Sequence, residues 1–362
     1  MTVRICCEHR ERIPLRPHLT DSIRSGRCRL LQLSMAIVVF LSPLQSVHAA
    51  FGKDNVGTSG AVFLKIGPGA RPAAMGEAFT GVADDIHSIY WNPAGLARLR
   101  NPELTAMHMQ WFQNVNYEYA AFAFPTKEQG TWGFAVTNLH TDDLQRRTED
   151  TETSLGNFSS SDSAYWLSYG RAVTDKLSLG ANAKFIRQVL DSTSANAYAS
   201  DWGVLYDTQW KTLKLGASIQ NVGSKVKFVN ESDPLPMTGR AGASIQVIEG
   251  RMLLSSDVIA PRDHQVGLAL GTEYRQKVSG DVRLIGRGGY RTDSDVKNGL
   301  TGVSAGGGIQ MGRVAFDFGW VPFGELGSTY RYALHVKFGP AGKSSDDSRL
   351  ENSPTDAYML SR

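Results

Sequence analysis

Cysteine is absent from this chain after residue 28. The three present, Cys6, Cys7 and Cys28, all precede the main body of the sequence. The rest of the chain therefore has no disulfide framework, no redox pair and no thiolate metal site. A charge imbalance is also lacking. With 38 Lys and Arg against 35 Asp and Glu in 362 residues, there is no electrostatic case for nucleic acid. Beyond the N-terminal region no stretch approaches the ~18 consecutive apolar residues that a membrane-crossing helix needs. Catalytic signatures are missing as well. His87, His108, His140, His264 and His335 show no close ligand spacing, and no Gly-x-Ser-x-Gly elbow occurs. Gly67-x-Gly69 lacks the strand-to-helix context of a nucleotide site. Asp84 and Asp85 are adjacent in a glycine-rich stretch and read as turn or cap residues, since no histidine or nucleophile is placed to complete a site. We therefore expect no enzyme, no cofactor and no metal.

The N-terminus supplies the first positive signal. Arg24, Arg27 and Arg29 precede an apolar run ending at a Pro-Leu break, and then comes Val47-His48-Ala49. This is the three-part pattern of a secretory signal peptide, and its apolar run is too short to span a bilayer. Residues 1–50 are read as leader and signal peptide, with cleavage near Ala49.

From about Glu103 the pattern becomes segments of roughly 10 residues with period-2 alternation, separated by turn residues. In Tyr330–Phe338, Tyr330, Tyr332, Leu334, Val336 and Phe338 share one face. About fourteen such segments fit between 103 and 338, an even number with lengths suited to a tilted bilayer crossing. Aromatics near strand ends (Trp111, Tyr119, Trp132, Trp166, Tyr169, Trp202, Tyr206, Tyr290, Trp320) suit interfacial girdles. The other face carries Lys184, Asp201, Arg240, Asp257, Arg283, Arg287, Asp317 and His335, where a sandwich core would be apolar. Connections alternate short and long, the longest being Thr141–Asp162. We expect a single-chain, all-β transmembrane antiparallel barrel over 103–338, with Asp201, Arg240, Asp257, Arg283, Arg287 and Asp317 facing its lumen. Residues 339–362 are read as a disordered periplasmic tail.

Residues 51–102 then precede the first strand and have nowhere obvious to pack except inside the barrel. They are rich in Gly and Ala. Pro72 suits the start of a short helix through about Phe79, and Asn92-Pro93 offers an N-cap followed by Pro at the first helical position. We read 51–102 as a lumenal hatch.

Within it, the run from Gly67 to Asp85, with Gly67, Gly69, Arg71, Met75, Gly76, Asp84 and Asp85, is followed by Trp91, Asn92, Pro93, Ala94 and Gly95. This pair of motifs resembles the PorV/PorQ branch of the FadL-like outer-membrane proteins. The resemblance implies a fourteen-stranded barrel with an N-terminal hatch. It also implies an accessory role in type IX-like protein secretion, with secretion machinery and exported cargo as partners. The alternative is a FadL-like transporter of hydrophobic small molecules. The charged and small residues expected on the lumen face count slightly against free passage of lipids. The resemblance and the barrel pattern together place the chain in the outer membrane of a Gram-negative bacterium, among its lipids.

Overall fold

The computed structural model describes residues 56–126, 129–150, 153–210, 212–248, 250–293 and 300–339. The leader, its cleavage site and the tail beyond Gly339 lie outside the described residues. In chain order the strands are β1 (Glu103–Gln110), β2 (Asn116–Thr126), β3 (Gly130–Gln145), β4 (Asn157–Ala172), β5 (Leu177–Leu190), β6 (Thr193–Asp207) and β7 (Leu213–Gly223). Then come β8 (Val226–Lys227), β9 (Ser232–Asp233), β10 (Thr238–Val247), β11 (Met252–Pro261), β12 (Gly267–Ser279), β13 (Val282–Arg291), β14 (Val303–Met311), β15 (Val314–Pro322) and β16 (Ser328–Lys337). All but β8 and β9, which pair only with each other, join one closed barrel of fourteen strands. Every pairing is antiparallel between neighbours. The barrel closes where β1 meets β16, from Glu103 opposite Lys337 to Gln110 opposite Tyr330. Closure leaves no strand edge, as a sheet in hydrocarbon requires.

Local chemistry accounts for the hairpins. The two-residue connections Gly280-Asp281 and Gly312-Arg313 place glycine at φ 51° and 57°, which the tight turns matching strand twist demand. On the wall, alternation sends Leu179, Val204, Leu215, Leu268, Leu284 and Leu334 outward, each at least 39% exposed. An apolar band on the outside of a closed sheet is what lipid selects and water does not.

Two features differ from the sequence reading. The long connection is shorter than expected, because β3 continues to Gln145 and β4 starts at Asn157. These extensions pair across an irregularity between Thr141 and Leu144. Apart from the facing pair Leu144 and Phe158, the residues there are polar on both faces, so the period-2 signal vanishes although the ladder persists. The second difference concerns two girdle aromatics. Tyr119 and Trp166 point inward and are buried (2% and 3% exposed), whereas Trp132, Trp202, Tyr206 and Tyr290 do face outward. Tyr165-Trp166-Leu167 places bulky residues on both faces of β4, and Tyr117, Tyr119, Phe122 and Phe124 do the same on β2, so hydrophobicity alone could not assign the face.

Candidate functional site

The barrel lumen holds the segment from Ala61 to Leu99, almost every residue of which is buried. Its regular pieces are a 3-10 turn at Val62–Lys65, one-turn helices at Ala70–Ala74 and Ser88–Trp91, and a 3-10 stretch at Pro93–Arg98. The helix containing Pro72 ends at Ala74, short of Phe79, because Gly76 and Glu77 both take positive φ, 62° and 63°. Asn92 caps the last element as its pattern predicts, with its side-chain oxygen accepting from Ala94 N at 3.2 Å.

On one side the segment is fastened by charge. Arg71 donates to Glu273 of β12 through two nitrogens, at 2.8 and 3.0 Å. It also donates to Asp84 at 2.6 Å and Asp85 at 2.5 Å. Glu273 in turn accepts from Arg287 of β13 at 2.6 Å, and Arg287 reaches Asp317 of β15 at 2.6 Å. Asp85 further accepts from the His87 backbone N–H at 2.8 Å. Burial alone would push the Asp85 carboxyl up, but the His87 ring, whose Nδ1 lies 2.9 Å away, and the Arg71 guanidinium overcome it and hold the group well below the usual carboxylate range. The paired acids are therefore one half of an ionic latch, and their partner is the arginine of the same motif.

The other expected lumen residues serve the same segment or its surroundings. Asp257 accepts from the backbone N–H groups of Phe79 and Thr80, at 3.1 and 2.8 Å. Arg240 donates to the Glu77 carbonyl at 3.3 Å and its guanidinium lies 4.7 Å from the Trp91 ring centroid. Asp201 instead binds barrel groups: Lys184 at 2.8 Å, Asn182 at 2.7 Å and Asn221 N at 2.8 Å. Arg283 shares the inward face of β13 but is half-buried near the 280–281 turn, outside the latch. Of the motif residues, Trp91 donates from Nε1 to Pro68 O at 3.1 Å, Gly69 N donates to the Met107 sulfur at 3.1 Å, and Met75 and Ala94 are fully buried. Cβ atoms on Gly67 and Gly95 would collide with Trp91 and with Ser88 respectively.

Asn92 does more than cap. Its amide donates to Thr80 O and to Val204 O of β6, each at 3.0 Å. Loss of the cap costs about 0.5–2 kcal/mol, and each buried carbonyl left unpaired costs about 1–3 kcal/mol more. We expect Asn92→Ala to assemble normally yet open more often than wild type in single-channel recordings. Asn92→Asp, which keeps the capping oxygen but loses both donations, should open nearly as often. A quiet Asn92→Asp channel would assign the role to the cap alone.

Sequence reasoning missed a ring of glycines. Gly133, Gly170, Gly180, Gly203, Gly216, Gly271, Gly289, Gly306 and Gly319 stand on β3 to β7 and β12 to β15. A Cβ at any of them would come closer than 3.0 Å to an atom of the lumenal segment. Glycine weakens a strand interior and marks close approach of another backbone. Its repetition at inward positions was the available signal. The wall is shaved on nine strands so that the segment sits against it without a gap.

The inward faces of β1 to β5 mix apolar bulk with buried polar residues, among them Glu103, Ser168, Asn182 and Lys184. Met107 and Met109 of β1, Tyr117 and Tyr119 of β2, Trp166 of β4 and Ile186 of β5 join Phe63, Leu64 and Ile89 of the segment in one buried cluster. The inward faces of β1 to β5 thus carry more apolar bulk than those of β12 to β15, although Glu103 and Lys184 also point inward. This corrects the expectation of a uniformly polar or small lumen lining, which had put Tyr119 and Trp166 on the outside.

Residues 44–201 match the model of an uncharacterised protein family, UPF0164. No curated protein matches the chain significantly. Among solved structures, the chain is similar to the toluene transporter TbuX of Ralstonia pickettii, at 14% identity and a TM-score of 0.50, covering 75% of this chain and 99% of that one. It is also similar to the CymD monoaromatic hydrocarbon channel, at 10% identity and a TM-score of 0.52, covering 76% and 99%. The toluene transporter TodX of P. putida gives 12% identity and a TM-score of 0.51 over 75% and 99%. The chain shares the fold of these barrels.

Proposed function

We propose that the chain is an outer-membrane barrel that lets hydrophobic small molecules cross, with residues 51–102 as its hatch. One observation carries this reading: the buried apolar wall made by Met107, Met109, Tyr117, Tyr119, Trp166 and Ile186, opposite a charged wall that holds the hatch. A water-filled pore has no use for such a lining, whereas an apolar solute that took the place of the hatch side chains packed on it would meet apolar surface there. The apolar outer band supports a bilayer location. The shared fold supports the same reading, since the names of the matched structures are those of aromatic hydrocarbon transporters and channels. An accessory role in protein secretion rests on the N-terminal motif alone.

The test is uptake of labelled toluene into vesicles holding the purified protein. Wild type should exceed empty vesicles, and Met109→Gln with Ile186→Gln should cut the excess about tenfold or more, since each polar group must be stripped of water or left unpaired in the path. Heat-modifiable gel migration verifies that the variant barrel is intact. Equal uptake by the variant and wild type would remove the apolar wall from the route. The alternation of short and long connections suits both termini in the periplasm and the polar connection around Asp150 outside the cell, so a tag there should be labelled on intact cells and a tag at Ser348 should not. The reverse labelling pattern would invert the topology.

A further inference from the structure

The apolar wall contains polar groups with nothing to bind. The Tyr119 hydroxyl, the Trp166 indole N–H and the Ser168 hydroxyl are each buried without a hydrogen-bond partner, and their residues are 2%, 3% and 0% exposed. Each is the sole polar atom of its side chain. By contrast, Arg240 and Asp257 across the lumen, and Arg331 beside Met109, each keep one idle atom, but each engages a backbone group of the hatch through another. Burying a polar group with no partner costs about as much as a lost hydrogen bond and is rare in folded proteins. Three within two strands call for a partner from outside the chain.

The register shows what they surround. On β3 the inward residues Gly133, Ala135 and Thr137 are all small. Ser168 lies directly opposite Gly133 and Trp166 opposite Ala135 on β4, while Tyr119 lies opposite Thr137 on β2. The result is a shallow trough along β3 with a phenol on one side and an indole and a hydroxyl on the other. Ile89 of the hatch fills its Gly133 end, with Cδ1 2.9 Å from where a Cβ on Gly133 would stand, so a ligand there takes the place of that side chain. Thr137 does not satisfy its neighbours, because its hydroxyl donates to Glu118 O at 3.0 Å.

We propose that this trough is a binding site for an uncharged hydrophobe bearing an oxygen acceptor, such as an alcohol, phenol or ketone, rather than for a bare hydrocarbon. The inference rests on the transport reading for its route of entry, but its chemistry comes from the three idle groups. Trp166 can only donate, so its partner must be an acceptor. Tyr119 and Ser168 can each donate or accept, and so can bind the same oxygen or a hydroxyl hydrogen on it. Among the described residues no charged group of the trough is unpaired: Lys184, beside Trp166, is bound to Asp201 and Asn221. A carboxylate would therefore bring a charge with no counter-ion, which burial strongly disfavours. Uncharged oxygen is the fitting chemistry. The apolar flanks, Ala121 and Ala123 on β2 and Ile89 above, take the rest of the molecule.

The experiment compares 1-indanone with indane, its hydrocarbon counterpart, by saturation-transfer NMR on the full mature chain in detergent, with protein-free micelles subtracted. Tyr119→Phe, Trp166→Phe and Ser168→Ala together remove all three idle groups and keep an aromatic ring at 119 and 166. The wild type should bind indanone saturably and about tenfold more tightly than indane, the size expected for two neutral hydrogen bonds. The triple variant should bind both alike, with indane unchanged. Equal binding of the two probes to wild type, an indanone preference that survives in the variant, or no binding of either would overturn the proposal. Uptake into vesicles is read separately. Donor-dependent binding without uptake would sink the transport reading and leave the site standing. Uptake without an indanone preference in binding would do the opposite.

Discussion

Arg71→Ala should turn a quiet barrel into a leaky one. Removing this side chain leaves Asp84, Asp85 and Glu273 facing one another with Arg275 and Arg287 as the remaining cations. Breaking a buried ion pair from one side costs about 3–5 kcal/mol, because the orphaned charge stays in a low-dielectric site. The cost falls on the attachment between hatch and wall and not on the ladder of the barrel, whose fourteen strands retain every hydrogen bond. Heat-modifiable migration should survive, and single-channel conductance in planar bilayers should rise to frequent long openings. Glu273→Gln should weaken the latch less, since an amide oxygen can still accept from Arg71. The pH dependence has a definite sign. The Asp85 carboxyl is held below its ordinary value, so its contribution is fully present above the usual carboxylate range of about 4. That contribution is lost only as pH falls through the depressed value. Wild-type barrels should therefore stay closed at mildly acidic pH and open only in strong acid. Opening near neutral pH would assign the latch to other groups.

The glycine ring makes the second large prediction. Gly180→Val with Gly203→Val places methyl groups where the Pro93-Ala94 backbone and the Asn92 side chain now sit. Those are main-chain atoms and a clamped amide, which cannot rotate aside as the end of a flexible side chain could. Overpacking at one site costs about 1–3 kcal/mol, and here two sites push on the same stretch. The hatch should be expelled from that side, with conductance at or above that of Arg71→Ala. The control is Ala181→Val with Ala183→Val, the outward neighbours on β5, which should leave conductance unchanged. If the glycine pair conducts no more than the control, the close fit is not what seals the lumen.

Much of this was legible in the sequence for physical reasons. A strand with one lipid face and one lumen face must alternate, so Val314–Trp320 and Tyr330–Phe338 revealed both strand and face. Charges on the lumen face stood out against apolar neighbours, and Arg240, Asp257, Arg287 and Asp317 do stand within reach of the hatch or its latch. The Asn92-Pro93 cap was readable because capping is local. The pairwise contacts could not be read. That Arg71 would meet Glu273, 202 residues away, has no local signature, and neither does a strand glycine until the backbone pressing on it is known. Polar extensions such as Thr141–Gln145 carry no periodicity because water lies on both sides. Tyr119 and Trp166 were misplaced because their strands carry aromatics on both faces, and with them went the apolar wall.

If a hydrophobic molecule crosses along the β1 to β5 wall, it can do so only when the hatch moves off that wall. A reversible lock between hatch and wall tests for that movement. All natural cysteines lie at or before Cys28, so the pair Ile89→Cys with Gly133→Cys would stand alone in the processed chain. Ile89 already presses on the wall there, its Cγ1 3.2 Å from where a Cβ on Gly133 would stand, within reach of a disulfide. Toluene uptake into vesicles is measured with the pair oxidised and again after reduction. Uptake should fall to the level of empty vesicles when the hatch is locked and return when the bond is reduced. Undiminished uptake through fully oxidised protein would contradict the moving hatch.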